Sequence, residues 1–141
     1  MSLEYLEDRL AINDLFVRYT TALDRGDVET IVDCFTPDGS LDSPAVGQHA
    51  GHAAIRAFAE RFARFHERGA QLRHVISNLA VEIDDNQARA TCYLLNVLTR
   101  NGQSELLAPG RYECELVKTG GKWRFQRRVV ILDHDITLDG I

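Results

Sequence analysis

Two ionisable residues have the chemistry and the surroundings of an acid/base pair. Asp24 lies at the end of a helical pattern, where the partial negative charge of a helix C-terminus disfavours a carboxylate. A local rule broken in this way is typical of a functional or strained site. His74 lies on the apolar face of a predicted strand with Leu72 and Ile76. A carboxylate that accepts a hydrogen bond from one ring nitrogen leaves the other nitrogen free to act as base or acid near neutral pH. We predict that Asp24 and His74 are catalytic, and the alternative is that each has only a structural role.

Three tyrosines are candidates for binding a substrate oxygen, namely Tyr19, Tyr93 and Tyr112. A phenol hydroxyl can donate a hydrogen bond to an oxygen on which negative charge develops. Tyr19 lies on the apolar stripe of its helix, so a core aromatic residue is the alternative for it.

Asn96, Arg111 and Arg128 are weaker candidates for the site. We expect the two arginines to pair with acidic residues such as Glu113 or Asp133 rather than to bind substrate.

Metal and cofactor motifs are missing from the sequence. His49 and His52 are three residues apart, but no third ligand joins them at a suitable spacing. The cysteines are predicted to be buried apolar residues, because none of their spacings suits zinc or redox chemistry: Cys34, Cys92 and Cys114. The sequence also lacks a nucleophile elbow, a phosphate loop and a dinucleotide fingerprint. We therefore expect no metal and no cofactor.

The composition indicates one soluble domain. A chain of 141 residues matches the usual size of a single domain. The net charge of −5 argues against nucleic acid or an anionic membrane as the main partner, since both require a basic surface. The N-terminus has no apolar signal region, and no stretch approaches the roughly 20 apolar residues that span a bilayer. We expect a cytoplasmic protein.

Three helices are predicted in the first half of the chain. The first runs from about Leu3 to Leu23, with Gly26 as its left-handed C′ residue and Asp27 as the N-cap of the next helix. The second covers about 28–35 and is followed by a turn at 36–39, a short strand at 40–44 and a loop at 45–51. The third covers about 52–67.

Four long strands are predicted at about 71–83, 87–100, 104–118 and 122–135. Direct connection through short turns makes them an antiparallel meander. Alternation places one set of residues on a single face of the third strand: Leu106, Ala108, Gly110, Tyr112, Cys114 and Leu116. In the fourth strand it does the same for another set: Trp123, Phe125, Val129 and Ile131. The predicted fold is α+β, with three N-terminal helices packed in the concave face of a strongly curved, mainly antiparallel sheet. The open end of such a cone is a natural ligand pocket.

The chain resembles the SnoaL-like branch of the nuclear transport factor 2-like superfamily. The resemblance lies in Tyr19…Leu-Asp24-x-Gly-Asp27…Cys-Phe35-x-x-Asp38, in Gly51-x-x-Ala-Ile-Arg, and in the closing Gly-x-Trp-x-Phe…Arg128. It implies one cystatin-like cone over residues 1–141. This scaffold includes both enzymes and non-enzymes, so the resemblance implies either kind of function.

Two enzyme branches can be compared residue by residue. Asp24 and His74 are similar to the catalytic Asp and His of scytalone dehydratase, but other positions depart from its pattern: Leu23, Ser43, Thr99 and Tyr112. Ketosteroid isomerase is matched only at its oxyanion tyrosine, by Tyr19, because its two catalytic aspartates fall on Ser43 and near Arg111. We therefore reject ketosteroid isomerase activity.

The resemblance implies a cofactor-free lyase or isomerase, dehydratase-like, acting on a small apolar cyclic metabolite. The alternative is a non-catalytic ligand-binding or assembly module, including a structural subunit like the small subunit of ring-hydroxylating dioxygenases. The last strand is apolar on both faces at 129–132, which favours a homodimer or homotrimer formed through the sheet.

Overall fold

The computed structural model describes residues 2–138, which form three helices and one six-stranded sheet. The helices are α1 (Leu3–Arg25), α2 (Val28–Asp33) and α3 (His52–Glu67). The strands are β1 (Phe35–Ser43), β2 (Gly47–Ala50), β3 (Ala70–Asp84), β4 (Gln87–Arg100), β5 (Gln103–Thr119) and β6 (Lys122–Leu132). The sheet order is β2-β1-β6-β5-β4-β3. The helices pack against one face of this open sheet, and side chains from both layers share one apolar core. The predicted α+β cone is confirmed.

The break between α1 and α2 forms as its sequence predicts. Gly26 adopts a left-handed conformation with φ of 69°, and its N–H donates to the carbonyl of Leu23. Asp27 then caps α2 by accepting from the backbone N–H of Thr30 at 3.2 Å and from its hydroxyl at 2.7 Å. This tight connection fixes the end of α1, where Asp24 lies.

The sheet contains the predicted meander and an additional edge. Strands β3 to β6 pair antiparallel in sequence order. The turn predicted at 36–39 belongs instead to β1, which runs parallel to β6, and the predicted loop at 45–51 contains β2. The first of these predictions was wrong because Pro37 and Gly39 lie where the pairing of β1 with β6 is irregular, and turn-forming residues are tolerated at such irregularities.

A bulge in β6 reverses the faces predicted for its second half. The register against β5 shifts by one residue between Phe125 and Arg127, so Gln126 is an extra residue. Alternation placed Val129 and Ile131 on the same face as Trp123 and Phe125, but they lie on the opposite, outer face. A similar shift near the start of β5 leaves Leu106 exposed, although alternation placed it on one face with Ala108 and Tyr112, which are buried.

The three cysteines are buried and unpaired, as predicted. None of the helices in residues 2–138 combines the length and apolar character needed to cross a bilayer.

Candidate active site

Asp24 and His74 meet in a short hydrogen bond. The ring Nδ1 of His74 lies 2.6 Å from Oδ1 of Asp24. With Asp24 ionised, Nδ1 must carry the proton, so a neutral His74 ring has an unprotonated Nε2. No hydrogen bond joins Nε2 to another residue within 2–138. The histidine side chain is only 5% exposed and that of Asp24 12%, so the pair lies in a largely dry environment.

The edge of the sheet explains why a carboxylate is stable at the end of α1. Strand β3 is an edge strand, and the backbone N–H of His74 points away from β4 toward the helix. This N–H donates to both Asp24 oxygens at 3.2 Å. The side chain of Gln71 also donates to the backbone carbonyl of Asp24 at 2.9 Å. Asp24 therefore satisfies an otherwise unpaired edge group and orients the imidazole at the same time.

A cavity lies beside this pair. Its polar wall consists of Tyr19, Ser43, His74, Asn96 and Tyr112, and its apolar wall comes from α1, α3, the sheet and the segment after β6. The cavity volume is about 50 Å³, smaller than the roughly 150 Å³ of an engineered cavity that binds benzene. A ring-sized ligand must therefore displace part of the wall. Ile136 and Leu138 are suited to move, because they lie outside any helix or strand.

Asn96 is directly opposite His74 on the neighbouring strand. It is only 8% exposed, and its Oδ1 has no hydrogen-bond partner among residues 2–138. A buried carbonyl oxygen without a donor is costly, so this atom is suited to accept from a bound ligand. The sequence ranked Asn96 as a weaker candidate, and the pairing register brings it into the site.

Tyr19 and Tyr112 also line the cavity, whereas Tyr93 does not. Burial raises the pKa of Tyr19 well above its usual range and that of Tyr112 to about 12, while the charge of Arg128 opposes both shifts. Both phenols are therefore protonated donors near neutral pH. Tyr93 is 57% exposed on the outer face of the sheet, because β4 turns Leu94 and Asn96 inward. The prediction of Tyr93 as a substrate-binding residue was wrong.

Arg128 does not form the acidic pair that the sequence predicted. The bulge at Gln126 turns it inward, and it is fully buried. Its Nη1 donates to Sγ of Cys114 at 3.4 Å, and Nε and Nη2 have no partner within residues 2–138. The guanidinium carbon lies 3.7 Å from the ring centroid of Tyr112 and 4.4 Å from that of Tyr19. Arg111, in contrast, is on the surface, and its Nε lies 3.7 Å from Oε1 of Glu113, as predicted.

Two other features of the described chain do not add to this site. A groove of about 670 Å³ runs between α1, α2 and the start of β6, but it contains neither Asp24 nor His74. No group of three or more His, Cys, Asp or Glu side chains within 2–138 is placed to hold a metal ion.

Comparison with known proteins places the chain among proteins of related fold. An uncharacterised protein of Mycobacterium tuberculosis is 28% identical over 138 residues, which covers 92% of this chain and 88% of that protein. A nuclear transport factor 2-like protein of Novosphingobium aromaticivorans with a cystatin-like fold superposes with a TM-score of 0.84 at 24% identity, covering 95% of this chain and 87% of that one. A scytalone dehydratase-like protein of the same organism superposes with a TM-score of 0.82 at 21% identity, covering 96% and 93%. The family model of the SnoaL-like domain matches residues 4–129, and the chain therefore belongs to the SnoaL-like family.

Proposed function

We propose that this protein is a cofactor-free lyase or isomerase that works by acid/base chemistry on a small, largely apolar cyclic compound. The observation that supports it best is the 2.6 Å hydrogen bond from His74 to Asp24 beside a cavity. That bond sets the tautomer in which Nε2 can accept a proton.

The chemistry follows from the positions of the polar groups. Nε2 of His74 removes a proton from carbon next to a carbonyl, and Asp24 stabilises the imidazolium that results. The carbonyl oxygen becomes an enolate oxygen and accepts hydrogen bonds from Tyr19 and Tyr112. Return of the proton to another carbon completes an isomerisation. Departure of a β-hydroxyl as water, with the same proton, completes a dehydration.

Deuterium exchange tests this proposal with a panel of compounds in place of a single substrate. Cyclic ketones and hydroxyketones are incubated with the protein in D₂O, and deuterium incorporation is followed by mass spectrometry. We expect wild type to exchange the proton next to the carbonyl of at least one compound. His74→Gln should lower the rate by about 10²–10⁴-fold, the usual contribution of a general base.

Tyrosine variants provide a matched control for this experiment. Tyr19→Phe and Tyr112→Phe should slow exchange, because each removes one donor from the cavity. Tyr93→Phe, the same change on the outer face, should leave the rate unchanged. Exchange that persists in His74→Gln, or that is lost equally in all three tyrosine variants, would contradict the proposed site.

A non-catalytic module of the same fold is the second candidate. The cavity of about 50 Å³ favours it, because the described structure leaves no room for a ring-sized substrate. The contact of Asp24 with the edge of β3 also gives that residue a structural role independent of catalysis. Under this alternative, no cyclic ketone exchanges its protons faster with the protein than in buffer, whether or not it binds.

We also propose that the protein is a homodimer or homotrimer formed through the outer face of the sheet. Four large apolar side chains on β3, β4 and β5 are each more than 40% exposed there: Val75, Tyr93, Leu95 and Leu106. Val75 and Leu95 lie directly opposite each other, so the patch is continuous across strands. A surface of this kind is typical of protein–protein contacts.

The cytoplasmic location stays a prediction.

A further inference from the structure

Arg128 is a buried cation without a counter-ion in the described structure. It is 0% exposed, and it takes part in none of the ion pairs within 4 Å among residues 2–138. Aromatic faces surround it, with Tyr112 and Tyr19 nearest, then Phe125 at 4.6 Å and Phe16 at 5.2 Å. Cation–π contacts offset only part of the cost of removing a guanidinium from water. Such an uncompensated charge is unfavourable in a fold unless something negative approaches it.

The position of this charge connects it to the cavity. The two nearest rings, those of Tyr19 and Tyr112, separate the guanidinium from the space that they line together with His74 and Asn96. The Asp24 carboxylate, next to His74 in the cavity wall, already accepts from that histidine. We propose that Arg128 makes this cavity selective for ligands that carry an anionic oxygen on an unsaturated ring, the phenolates and cyclic enolates. The inference deepens the proposed function, because it assigns the substrate class of the same cavity.

Elementary electrostatics gives the size of the effect. A unit charge roughly 8 Å from another, at an effective dielectric constant of about 20, changes a binding equilibrium by about thirtyfold. The tyrosine hydroxyls are protonated near neutral pH, since burial raises the pKa of both. They therefore donate to the anion and do not neutralise the arginine. The ligand supplies the missing negative charge, and its ring occupies the apolar wall.

Binding of 4-nitrophenol tests the inference, because its anion absorbs visible light and its neutral form does not. The probe is titrated with pH in the presence of excess protein, and the pKa of the bound probe is compared with that of the free probe. We expect the wild-type protein to lower the pKa of the bound probe by about one unit or more, a preference of at least tenfold for the anion. Bound probe that titrates at or above the pH of free probe would overturn the inference, and so would the absence of binding.

Variants of Arg128 assign the effect to its charge. Arg128→Gln should abolish the shift, while Arg128→Lys should retain most of it. If Arg128→Gln fails to fold, as judged by circular dichroism, the comparison of wild type with Arg128→Lys and Tyr112→Phe still tests the inference. Tyr112→Phe keeps the ring over the guanidinium but loses the donor, and we expect a smaller shift. A full shift in folded Arg128→Gln would show that another group selects the anion.

Other titratable groups near the cavity need their own control. His74 on β3 lines the cavity and Asp24 on α1 bonds to its ring, while Cys114 and Cys92 are beside Arg128 with the two tyrosines. Protonation of His74 would also attract an anion, so the titration is repeated in His74→Gln, where the shift should persist. The same two measurements on the wild-type protein separate the two proposals. A phenolate preference without deuterium exchange retains the anion site and removes the catalytic function, and exchange without the preference does the reverse.

Discussion

Replacement of Asp24 by asparagine should change the tautomer of His74. The two side chains have the same shape, but one oxygen becomes an NH₂ group that can only donate. The backbone N–H of His74 lies 3.2 Å from both carboxylate oxygens of Asp24, and Nδ1 lies 2.6 Å from Oδ1. We expect the amide oxygen to take the Oδ2 position, where it accepts from the backbone N–H, while the NH₂ group donates to Nδ1. Nδ1 then loses its proton, and Nε2 becomes protonated.

The expected magnitudes follow from this exchange of hydrogen bonds. A charge-assisted bond contributes about 1.5–3 kcal/mol and a neutral one about 1 kcal/mol, so Asp24→Asn should lower the free energy of unfolding by about 1–2 kcal/mol. The effect on proton transfer should be much larger, because the only free ring nitrogen would carry a proton. The same substitution in a Ser-His-Asp triad lowers kcat by about 10⁴.

Nitrogen NMR measures the tautomer directly and needs no substrate. The protein is labelled with ¹⁵N-histidine, and the ring nitrogens are observed at about pH 8.5, where an ordinary imidazole is neutral. The chain has five histidines, and the spectrum of His74→Gln identifies the signals of His74. We expect a protonated Nδ1 in wild type and a protonated Nε2 in Asp24→Asn. Asp14→Asn is the control, because it makes the same change on an exposed position of α1. An Nε2-protonated His74 in the wild-type protein would refute the proposed role of Asp24.

Three further predictions concern stability and assembly. Trp123 Nε1 and Lys118 Nζ each donate to the buried Asp8 at 2.9 Å, and together they hold the pKa of Asp8 below its usual value. Asp8 therefore stabilises the fold above about pH 4, and this contribution is lost as pH falls through the lowered pKa. In urea unfolding, Asp8→Asn should have a lower free energy of unfolding than wild type at pH 7, and the difference should shrink in acid. Gly26→Ala should lower the free energy of unfolding more than Gly120→Ala does. Both glycines have a positive φ, which costs an alanine about 1–2 kcal/mol. Only at Gly26 would the added Cβ also meet a neighbour, since it would lie 3.2 Å from Cβ of Ala63. Equal losses in thermal unfolding would show that the contact is unimportant. In light scattering, we expect wild type to be a dimer or trimer and Leu95→Asp to be a monomer. Leu10→Asp, on the exposed face of α1, should keep the wild-type state. A monomeric wild type would contradict assembly through the sheet.

Local signals in the sequence were sufficient for most of the fold. The bounds of α3 and β4 agree with the prediction, because a regular apolar stripe and strong turns define them. The break at Gly26 and Asp27 was also predictable from capping chemistry alone. Only the second half of strand β1 was predicted, as a short strand at 40–44. Its first half was missed because the pairing with β6 is long-range and the local sequence has turn residues at Pro37 and Gly39. Pairing of this kind stabilises a segment against its local propensity.

The candidate site was predictable only where alternation was unbroken. Strand β3 keeps its register through His74, so the inward position of that residue followed from its apolar neighbours. Tyr93 would have been excluded by the same rule, since it alternates with Leu94 and Asn96. Arg128 could not be placed, because the single extra residue Gln126 reverses every side chain after it. A bulge of this kind leaves little signal in one sequence, but it turns a predicted surface arginine into a buried charge against the rings of Tyr19 and Tyr112.

The contacts of Asp24 also determine which variant tests catalysis most directly. Its carboxylate accepts from the imidazole of His74 and from the backbone N–H of the same residue. Any change at Asp24 therefore disturbs the contact between α1 and the edge of β3 together with the tautomer. A change at His74 keeps the backbone N–H, so the contact that joins helix and sheet remains. If His74→Gln keeps the thermal stability of wild type within about 1 kcal/mol but loses exchange, the loss belongs to the imidazole. Equal damage from His74→Gln and Asp24→Asn in both stability and exchange would instead mean that the pair acts mainly as a structural bond.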